Sequence, residues 1–297
     1  MKGCPSVRVL MRCFVRHFTF RVAAGLVGLA LIFGASPANA ATLTPNYSIL
    51  IYKPGLAVTG TLKNGIFTQR HSFTANGWTA AAVSRDTLLL YNANTGKLKT
   101  GLFRGGTFTS KDVRTIRKGW TTVAASCDTV LFYNGSSGAA FTAPLKGGFM
   151  GTQTRYGFSS GWTFIDASCN TVTFLLVGSS TSAGVNGLLK GGRFTQSPGS
   201  FGVATYTNLA HTDTSYFLYS SVRGDAIWGP SGHGTEGLTG GSTGFSEWNI
   251  VAGSPDSLLF YMSNGIEDRA TLKRGDYASV GGGADFSSGW TIIVGGR

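Results

Sequence analysis

The sequence predicts an all-β protein, a six-bladed β-propeller, and three observations support this prediction. An aromatic anchor residue, usually tryptophan, recurs about every 42 residues. An apolar segment ends thirteen residues after each of the first five anchors. The chain contains 44 glycines and only 13% charged residues, which suits short strands joined by tight turns. A fixed period of this length is typical of a repeat architecture.

Each repeat unit divides into four predicted strands. The first begins at the anchor, and the second is an apolar segment such as "DTLLLY" that we expect to be buried on both sides. An Asp or Asn usually lies at the turn between them, where turn capping is the simplest role and calcium binding would need more ligands. The third ends at an Asn-Gly or Gly-Gly hairpin signal, and the fourth runs to the next anchor. Four strands in about 42 residues are typical of a propeller blade. The anchors are Trp78, Trp120, Trp162, Tyr206, Trp248 and Trp290.

The two ends of the repeat region complement each other. "NYSILIY" at residues 46–52 is a second-strand segment without a first strand, and "GWTIIVGGR" at 289–297 is a first strand without a second. Together they complete a sixth blade and close the ring, which removes exposed inner edges. An open stack or two sandwiches are the alternatives. The fifth unit is irregular, and there we expect a surface loop carrying Trp228 and His233.

Residues 1–40 have the features of an export signal. A basic head precedes an apolar run, Val22 to Phe33, that is short for a bilayer span, and Ala38-Asn39-Ala40 fits a signal-peptidase site. Cleavage after Ala40 leaves 41–297 as one propeller domain, with no transmembrane span, in the periplasm or outside the cell. The alternative is an uncleaved N-terminal anchor. Without the five basic residues of the leader the net charge is +7, which fits an acidic partner surface without requiring nucleic acid.

The repeated motif supports a comparison with a known family. Gly-Trp-Thr-x-[IVA], then an Asp or Asn before a Leu-Leu-Phe-Tyr-like strand, then Leu-[KR]-x-Gly-x-Phe, resembles the repeats of tachylectin-2-like β-propeller lectins and related secreted bacterial proteins. The resemblance covers about residues 43–297. It implies non-catalytic binding of N-acetylated amino sugars or related glycans at shallow sites on or between the blades. That animal lectin has five blades, whereas this sequence predicts six.

Two sets of repeated residues are candidate binding groups. The aromatic anchors named above could stack on sugar rings, or they could serve only to pack adjacent blades. A basic residue occupies the hairpin between third and fourth strands in five units and could form a positive crown for anionic polysaccharide, or it could simply be solvated. These residues are Lys63, Arg104, Lys146, Lys190 and Lys273.

Cys127 and Cys169 occupy the same place in consecutive repeats, seven residues after their anchors. In an exported chain they could form a disulfide between neighbouring blades, provided that their Cα atoms approach within about 4.4–6.8 Å. Free thiols are the alternative. The remaining His, Asp and Glu residues show no metal-ligand, nucleophile or phosphate-loop pattern, so no catalytic residue, metal or cofactor is predicted.

The sequence therefore predicts an exported, monomeric lectin with repeated shallow sites for amino sugars or other cell-surface glycans, some of them anionic. Multivalency would raise its avidity on a repetitive surface. The alternatives are a protein-interaction scaffold and a secreted propeller glycan hydrolase.

Overall fold

The computed structural model describes residues 44–178, 181–204, 206–232, 235–245, 247–282 and 286–297. The predicted export signal, residues 1–40, lies outside the described residues, as does His233. No helix within the described ranges is long and apolar enough to cross a membrane. The chain forms six small antiparallel sheets around a central axis, which confirms the predicted six-bladed β-propeller.

The sheets are numbered as blades 1 to 6, and their strands as a to d from the axis outward. Blade 1 contains Ile292–Gly295, Ser48–Lys53, Leu56–Lys63 and Ile66–Phe73; blade 2 contains Ala80–Val83, Thr87–Tyr91, Lys97–Arg104 and Thr107–Thr115; blade 3 contains Thr122–Ala125, Thr129–Tyr133, Ala139–Lys146 and, as a divided strand d, Phe149–Met150 and Thr154–Gly157. Blade 4 contains Phe164–Ala167, Thr171–Val177, Thr181–Lys190, Arg193–Gln196 and Phe201–Ala204; blade 5 contains Asn208–His211, Ser215–Ser220, Asp225–Gly232, Thr235–Glu236 and Gly240–Thr243; blade 6 contains Ile250–Gly253, Ser257–Tyr261, Glu267–Lys273 and Asp276–Ser279.

Ring closure occurs in blade 1, as predicted. Strand a from the C-terminal end pairs with strand b from the N-terminal end, with Ile49 opposite Gly295 and Tyr52 opposite Ile292. Each inner strand also lies beside the inner strands of the two neighbouring blades. The ring is therefore continuous, and blade 1 joins segments that lie more than 200 residues apart in the sequence.

Strand b is buried along its length in blades 2, 3 and 6, as its apolar sequence predicts. The anchor residues differ from the prediction in one respect, because each lies two residues before strand a rather than inside it. The predicted loop at Trp228 is also wrong. Trp228 belongs to strand c of blade 5, where its ring stacks on Phe217 and lies 4.7 Å from the Tyr277 ring centroid. Aromatic packing between blades 5 and 6 keeps this segment in the sheet.

Candidate functional site

The a–b turns and c–d hairpins of neighbouring blades hold one another together. The Asp86 carboxylate accepts a hydrogen bond from Gly147 N, and Thr87 Oγ1 accepts one from Gly148 N, both in the next blade. The recurring turn aspartate therefore connects blades, which differs from the turn capping expected from the sequence. Equivalent contacts join Asp128 and Thr129 to Gly191 and Gly192, Thr214 and Ser215 to Arg274 and Gly275, and Asp256 and Ser257 to Asn64 and Gly65.

The anchors form a second set of contacts at the opposite edge of the ring. Tyr133 ends strand b of blade 3; its hydroxyl donates to Ser159 O and accepts a hydrogen bond from Trp162 N of the next blade. The same Tyr-to-Trp contact occurs at five of the six blade junctions. In sequence order the pairs are Tyr52–Trp78, Tyr91–Trp120, Tyr133–Trp162, Tyr219–Trp248 and Tyr261–Trp290. At the sixth junction Leu175 replaces the tyrosine, and Tyr206 replaces the tryptophan.

Burial favours the packing role for most anchors. Trp120, Tyr206, Trp248 and Trp290 are 5–7% exposed. Cations also lie over several of the rings: Lys97 over Trp78, Arg117 over Trp120, Lys53 over Trp290 and Arg223 over Tyr206. Trp162 lines a cavity, and so does Trp248 although it is only 6% exposed. The predicted sugar contact is therefore best supported at these two anchors.

All five predicted basic rim residues are exposed at their hairpins. Two of them pair with the turn aspartate of their own blade, Arg104 with Asp86 at 3.1 Å and Lys273 with Asp256 at 3.3 Å. Lys63 lies over the Tyr47 ring. The two ion pairs neutralise part of the predicted positive crown, and Lys63 is engaged by Tyr47, so Lys146 and Lys190 are the better candidates for contact with an anionic partner.

Six equivalent positions at the ends of the inner strands form a ring around the axis, which we call the axial ring. Its members are Arg85, Cys127, Cys169, Asp213, Pro255 and Arg297. Backbone hydrogen bonds link successive turns, from Arg85 N to Cys127 O and from Cys127 N to Cys169 O. The Cα atoms of Cys127 and Cys169 are 4.5 Å apart, and their sulfurs form a disulfide. The Cα separation meets the requirement for a disulfide because equivalent residues of adjacent blades approach closely near the axis.

A polar network that occurs only once lies beside the axial ring. Asp166 and His211 occupy inner-strand positions where the other blades carry Ala, Val or Gly. Arg297 reaches across the axis from blade 1 and donates to Asp166 Oδ1 at 3.0 Å in blade 4. It also donates to the carbonyls of His211 and Gly253 in blades 5 and 6. One guanidinium therefore connects four blades.

Electrostatics fixes the charge of this network. Burial raises the pKa of Asp166, but the Arg297 guanidinium and a hydrogen bond from His211 outweigh it, so its pKa lies below the usual value. Asp166 is therefore ionised at neutral pH and paired with Arg297, whose side chain is 6% exposed.

The Asp166 carboxylate also borders an axial cavity of about 190 Å³, which is otherwise lined mainly by small apolar residues of the inner strands.

Thr173, His211 and Asp166 follow the order of a nucleophile–base–acid triad. Thr173 Oγ1 lies 3.2 Å from His211 Nε2, and His211 Nδ1 lies 3.2 Å from an Asp166 oxygen. However, Thr173 and His211 are completely buried, and neither borders the axial cavity. A nucleophile must reach its substrate. This arrangement therefore fits blade packing better than catalysis.

A wide pocket lies mainly between blades 5 and 6, with Phe164 of blade 4 at its border, on the side of the ring that carries the Tyr-to-Trp contacts. Its volume is about 770 Å³, within the range of small-ligand sites. Trp248, Phe164 and Met262 supply apolar surface, and we call this cavity the Trp248 pocket. Its polar lining includes Glu247, Asn208, Asn249 and Asn264.

Two polar residues of the Trp248 pocket depart from the repeat. Four other blades have Gly-Trp-Thr, whereas blade 6 has Glu247-Trp248-Asn249. Asn249 Oδ1 accepts a hydrogen bond from Ser263 N, so it replaces the repeated threonine without losing its backbone contact. Sequence reasoning missed these residues because it searched for what the units share. Comparing each unit with the consensus would have identified both substitutions.

One cluster of side chains at the axial ring has the spacing of a metal site. The Cys127 and Cys169 sulfurs and an Asp213 oxygen lie within 4.8 Å of one another. Both sulfurs are joined in the disulfide and therefore are not thiolate ligands. The Arg85 guanidinium beside them further disfavours a cation.

Neither a protein-family sequence pattern nor a curated protein sequence matches the chain. Solved structures are similar in fold. A chain of the nidogen/laminin complex shares 9% identity at a TM-score of 0.54, covering 83% of this chain and 97% of that chain. A functionally unknown protein from Desulfotomaculum acetoxidans shares 8% identity at 0.53, covering 79% and 78%.

A Bacteroides fragilis protein whose name suggests a 6-phosphogluconolactonase shares 11% identity at a TM-score of 0.51, covering 82% of this chain and 83% of that one. The names attached to these structures differ widely, and the identities are low. The similarities therefore show the propeller fold alone.

Proposed function

We propose that the protein is a non-catalytic carbohydrate-binding propeller whose principal site is the Trp248 pocket. The observation that supports this proposal most is the combination of apolar surface with several amides and a carboxylate in one wide cavity. Sugars have apolar ring faces and many hydroxyls, so they need both kinds of contact. Amide groups can both donate and accept hydrogen bonds, which suits hydroxyl and acetamido groups.

The carboxylate restricts the class of ligand at this pocket. Glu247 is exposed and would repel an acidic sugar, whereas it can accept hydrogen bonds from hydroxyl, amide or amino groups. N-acetylated or free amino sugars therefore fit best, which agrees with the resemblance to tachylectin-2-like lectins. A second, smaller cavity of about 230 Å³ contains Trp162 with Phe158, Phe174 and Phe194. It is mainly aromatic and is the candidate for an additional shallow site.

The proposal is tested by screening the purified protein on a glycan array, followed by titration calorimetry with the best ligand. The test variant Glu247→Gly/Asn249→Thr restores the Gly-Trp-Thr of the other blades, so it is compatible with the fold. We expect it to weaken binding at least tenfold. The matched control Thr79→Asn introduces the amide in blade 2, where Lys97 covers Trp78, and should leave the affinity unchanged.

Three outcomes contradict the proposal. Failure to bind any glycan would exclude a lectin and leave the protein-interaction scaffold. Consumption of an oligosaccharide or lactone by the wild-type protein would indicate an enzyme. Equal affinity of the wild type and the test variant would show that the Trp248 pocket is not the principal site.

The anionic partner is a separate part of the proposal and concerns the basic rim. If Lys146 and Lys190 contact an acidic polysaccharide, affinity for that polymer should fall steeply between low and physiological salt, because exposed charges are screened. An affinity for the polymer that does not change with salt would exclude the basic rim as its binding surface.

A further inference from the structure

The disulfide of the axial ring has charged neighbours that a purely structural crosslink does not need. Cys127 and Cys169 are both partly exposed at the a–b turns. Arg85 Nη2 lies 3.0 Å from each sulfur. Whichever sulfur leaves when the bond opens therefore carries its negative charge beside a guanidinium. A nearby cation stabilises a thiolate and favours the reduced pair.

Asp213 adds a proton-transfer group to the same place. One of its carboxylate oxygens lies within 4.8 Å of both sulfurs, and Oδ1 is buried without a hydrogen-bond partner. Burial raises the pKa of Asp213 to about 6, although Arg297 and Arg85 oppose the shift and Asp256 adds to it. A carboxyl group with such a pKa can exchange a proton with a sulfur at near-neutral pH.

We propose that Cys127–Cys169 is a reactive disulfide that oxidises dithiols, with Arg85 stabilising the leaving thiolate and Asp213 transferring protons. The substrate class is a small or protein-borne dithiol that reaches the axial ring from the side of the a–b turns. This activity is independent of the glycan site that we propose in the Trp248 pocket, which lies on the opposite side of the ring.

The reaction consists of two exchanges. A donor thiolate attacks one cysteine sulfur, the Cys127–Cys169 bond breaks, and a donor–protein disulfide forms while the other cysteine leaves as a thiolate. The donor's second thiol loses its proton and attacks the donor sulfur of that mixed disulfide, which releases the second cysteine. In total, two electrons and two protons pass from the donor to the protein. The donor becomes a disulfide, and the protein becomes a dithiol.

The fold can remain closed when this bond is reduced. The turns that carry the cysteines are also joined by the hydrogen bond from Cys127 N to Cys169 O. Blades 3 and 4 make further contacts at the Asp128 turn and at the Tyr133 hydroxyl. Reduction therefore removes one of several connections between these blades.

The test uses the folded, full-length protein carrying Cys4→Ser and Cys13→Ser, in the absence of denaturant; Cys127 and Cys169 are then its two cysteines, and this protein is the wild-type reference below. Dithiothreitol should reduce the pair in native buffer, two thiols should become titratable, and the circular dichroism spectrum should remain unchanged. The variant Arg85→Gln should be reduced about tenfold more slowly, because its leaving thiolate has no adjacent cation. The control Arg193→Gln removes an exposed arginine beside the Gly191–Gly192 hairpin and should be reduced at the wild-type rate.

The pH dependence of iodoacetamide alkylation gives a second readout on the reduced wild-type protein. The charged groups beside the sulfurs are Arg85 and Asp213, and Arg297 and Asp256 act in turn on Asp213. We expect a thiolate pKa below the ordinary value of about 8.5. Reduction only in denaturant, an ordinary thiolate pKa, or equal rates for Arg85→Gln and Arg193→Gln would each overturn the proposal. If Arg85→Gln does not fold, the wild-type reduction and alkylation experiments still decide it.

Discussion

The two edges of the ring are built in different ways. At the edge that carries the anchors, five of six blade junctions use the same hydrogen bond, in which the backbone N–H of a tryptophan donates to a tyrosine hydroxyl. At the axial ring, six equivalent positions carry four residue types: Arg, Cys, Asp and Pro. Repetition therefore marks residues that hold the blades together, whereas departures from the repeat mark places where specific chemistry is possible. The Trp248 pocket follows the same rule at Glu247 and Asn249, which replace the repeated glycine and threonine.

The largest predicted effect comes from removing the unique charge pair. Asp166→Ala leaves the Arg297 guanidinium buried without its carboxylate, which should lower the free energy of unfolding by about 3–5 kcal/mol. Urea denaturation at pH 7 measures this loss. The control Asp86→Ala at the repeated, more exposed pair with Arg104 should cost less. Equal losses would contradict the idea that the unique network connects the blades across the axis.

A smaller effect concerns pH. Because the pKa of Asp213 is raised to about 6 in the folded state, its ionisation destabilises the fold. The stability that protonated Asp213 contributes to the folded state is fully present below pH 4 and is lost as the pH rises through 6. We expect Asp213→Asn to remove this decline, amounting to about 2 kcal/mol, relative to the wild type between pH 4 and 7. Parallel stability–pH curves for the two proteins would contradict the raised pKa.

The smallest effect sharpens the comparison at the repeated edge. Tyr133→Phe removes one acceptor for Trp162 N and should cost about 1–2 kcal/mol, as measured by thermal or urea unfolding. At the exceptional junction, Leu175→Tyr should be more stable than Leu175→Phe by up to about 1 kcal/mol, because only the tyrosine supplies a hydroxyl. If Tyr133→Phe and the wild type are equally stable, the repeated hydroxyl is not a blade connector.

Periodicity alone predicted much of the fold. The anchor spacing gave the blade number, and the incomplete units at 46–52 and 289–297 predicted the closing sheet in blade 1. The apolar second strands are buried as expected, because a strand with neighbouring blades on both faces has no side facing solvent. The position of the anchors before strand a was not predictable from spacing, since a repeat fixes equivalence between units and not where a strand begins.

The unique polar network beside the axial ring could not be predicted from periodicity. Asp166, His211 and Arg297 are separated by 45 and 86 residues and belong to three blades, so they meet only because the ring closes around a narrow axis. The narrow axis also determines whether the disulfide can form, because the Cα separation of Cys127 and Cys169 depends on their distance from the axis rather than on sequence. The signal available beforehand was an Asp and a His at inner-strand positions that are otherwise small or apolar.

Hydrogen exchange with and without a bound N-acetylated amino sugar tests the central claim most directly. If the Trp248 pocket is the principal site, protection on ligand binding should concentrate in residues 206–222 and 247–264, and it should be absent in Glu247→Gly/Asn249→Thr. Equal protection at equivalent positions of all six blades, or protection unchanged in the variant, would contradict the claim that residues departing from the repeat bind the glycan.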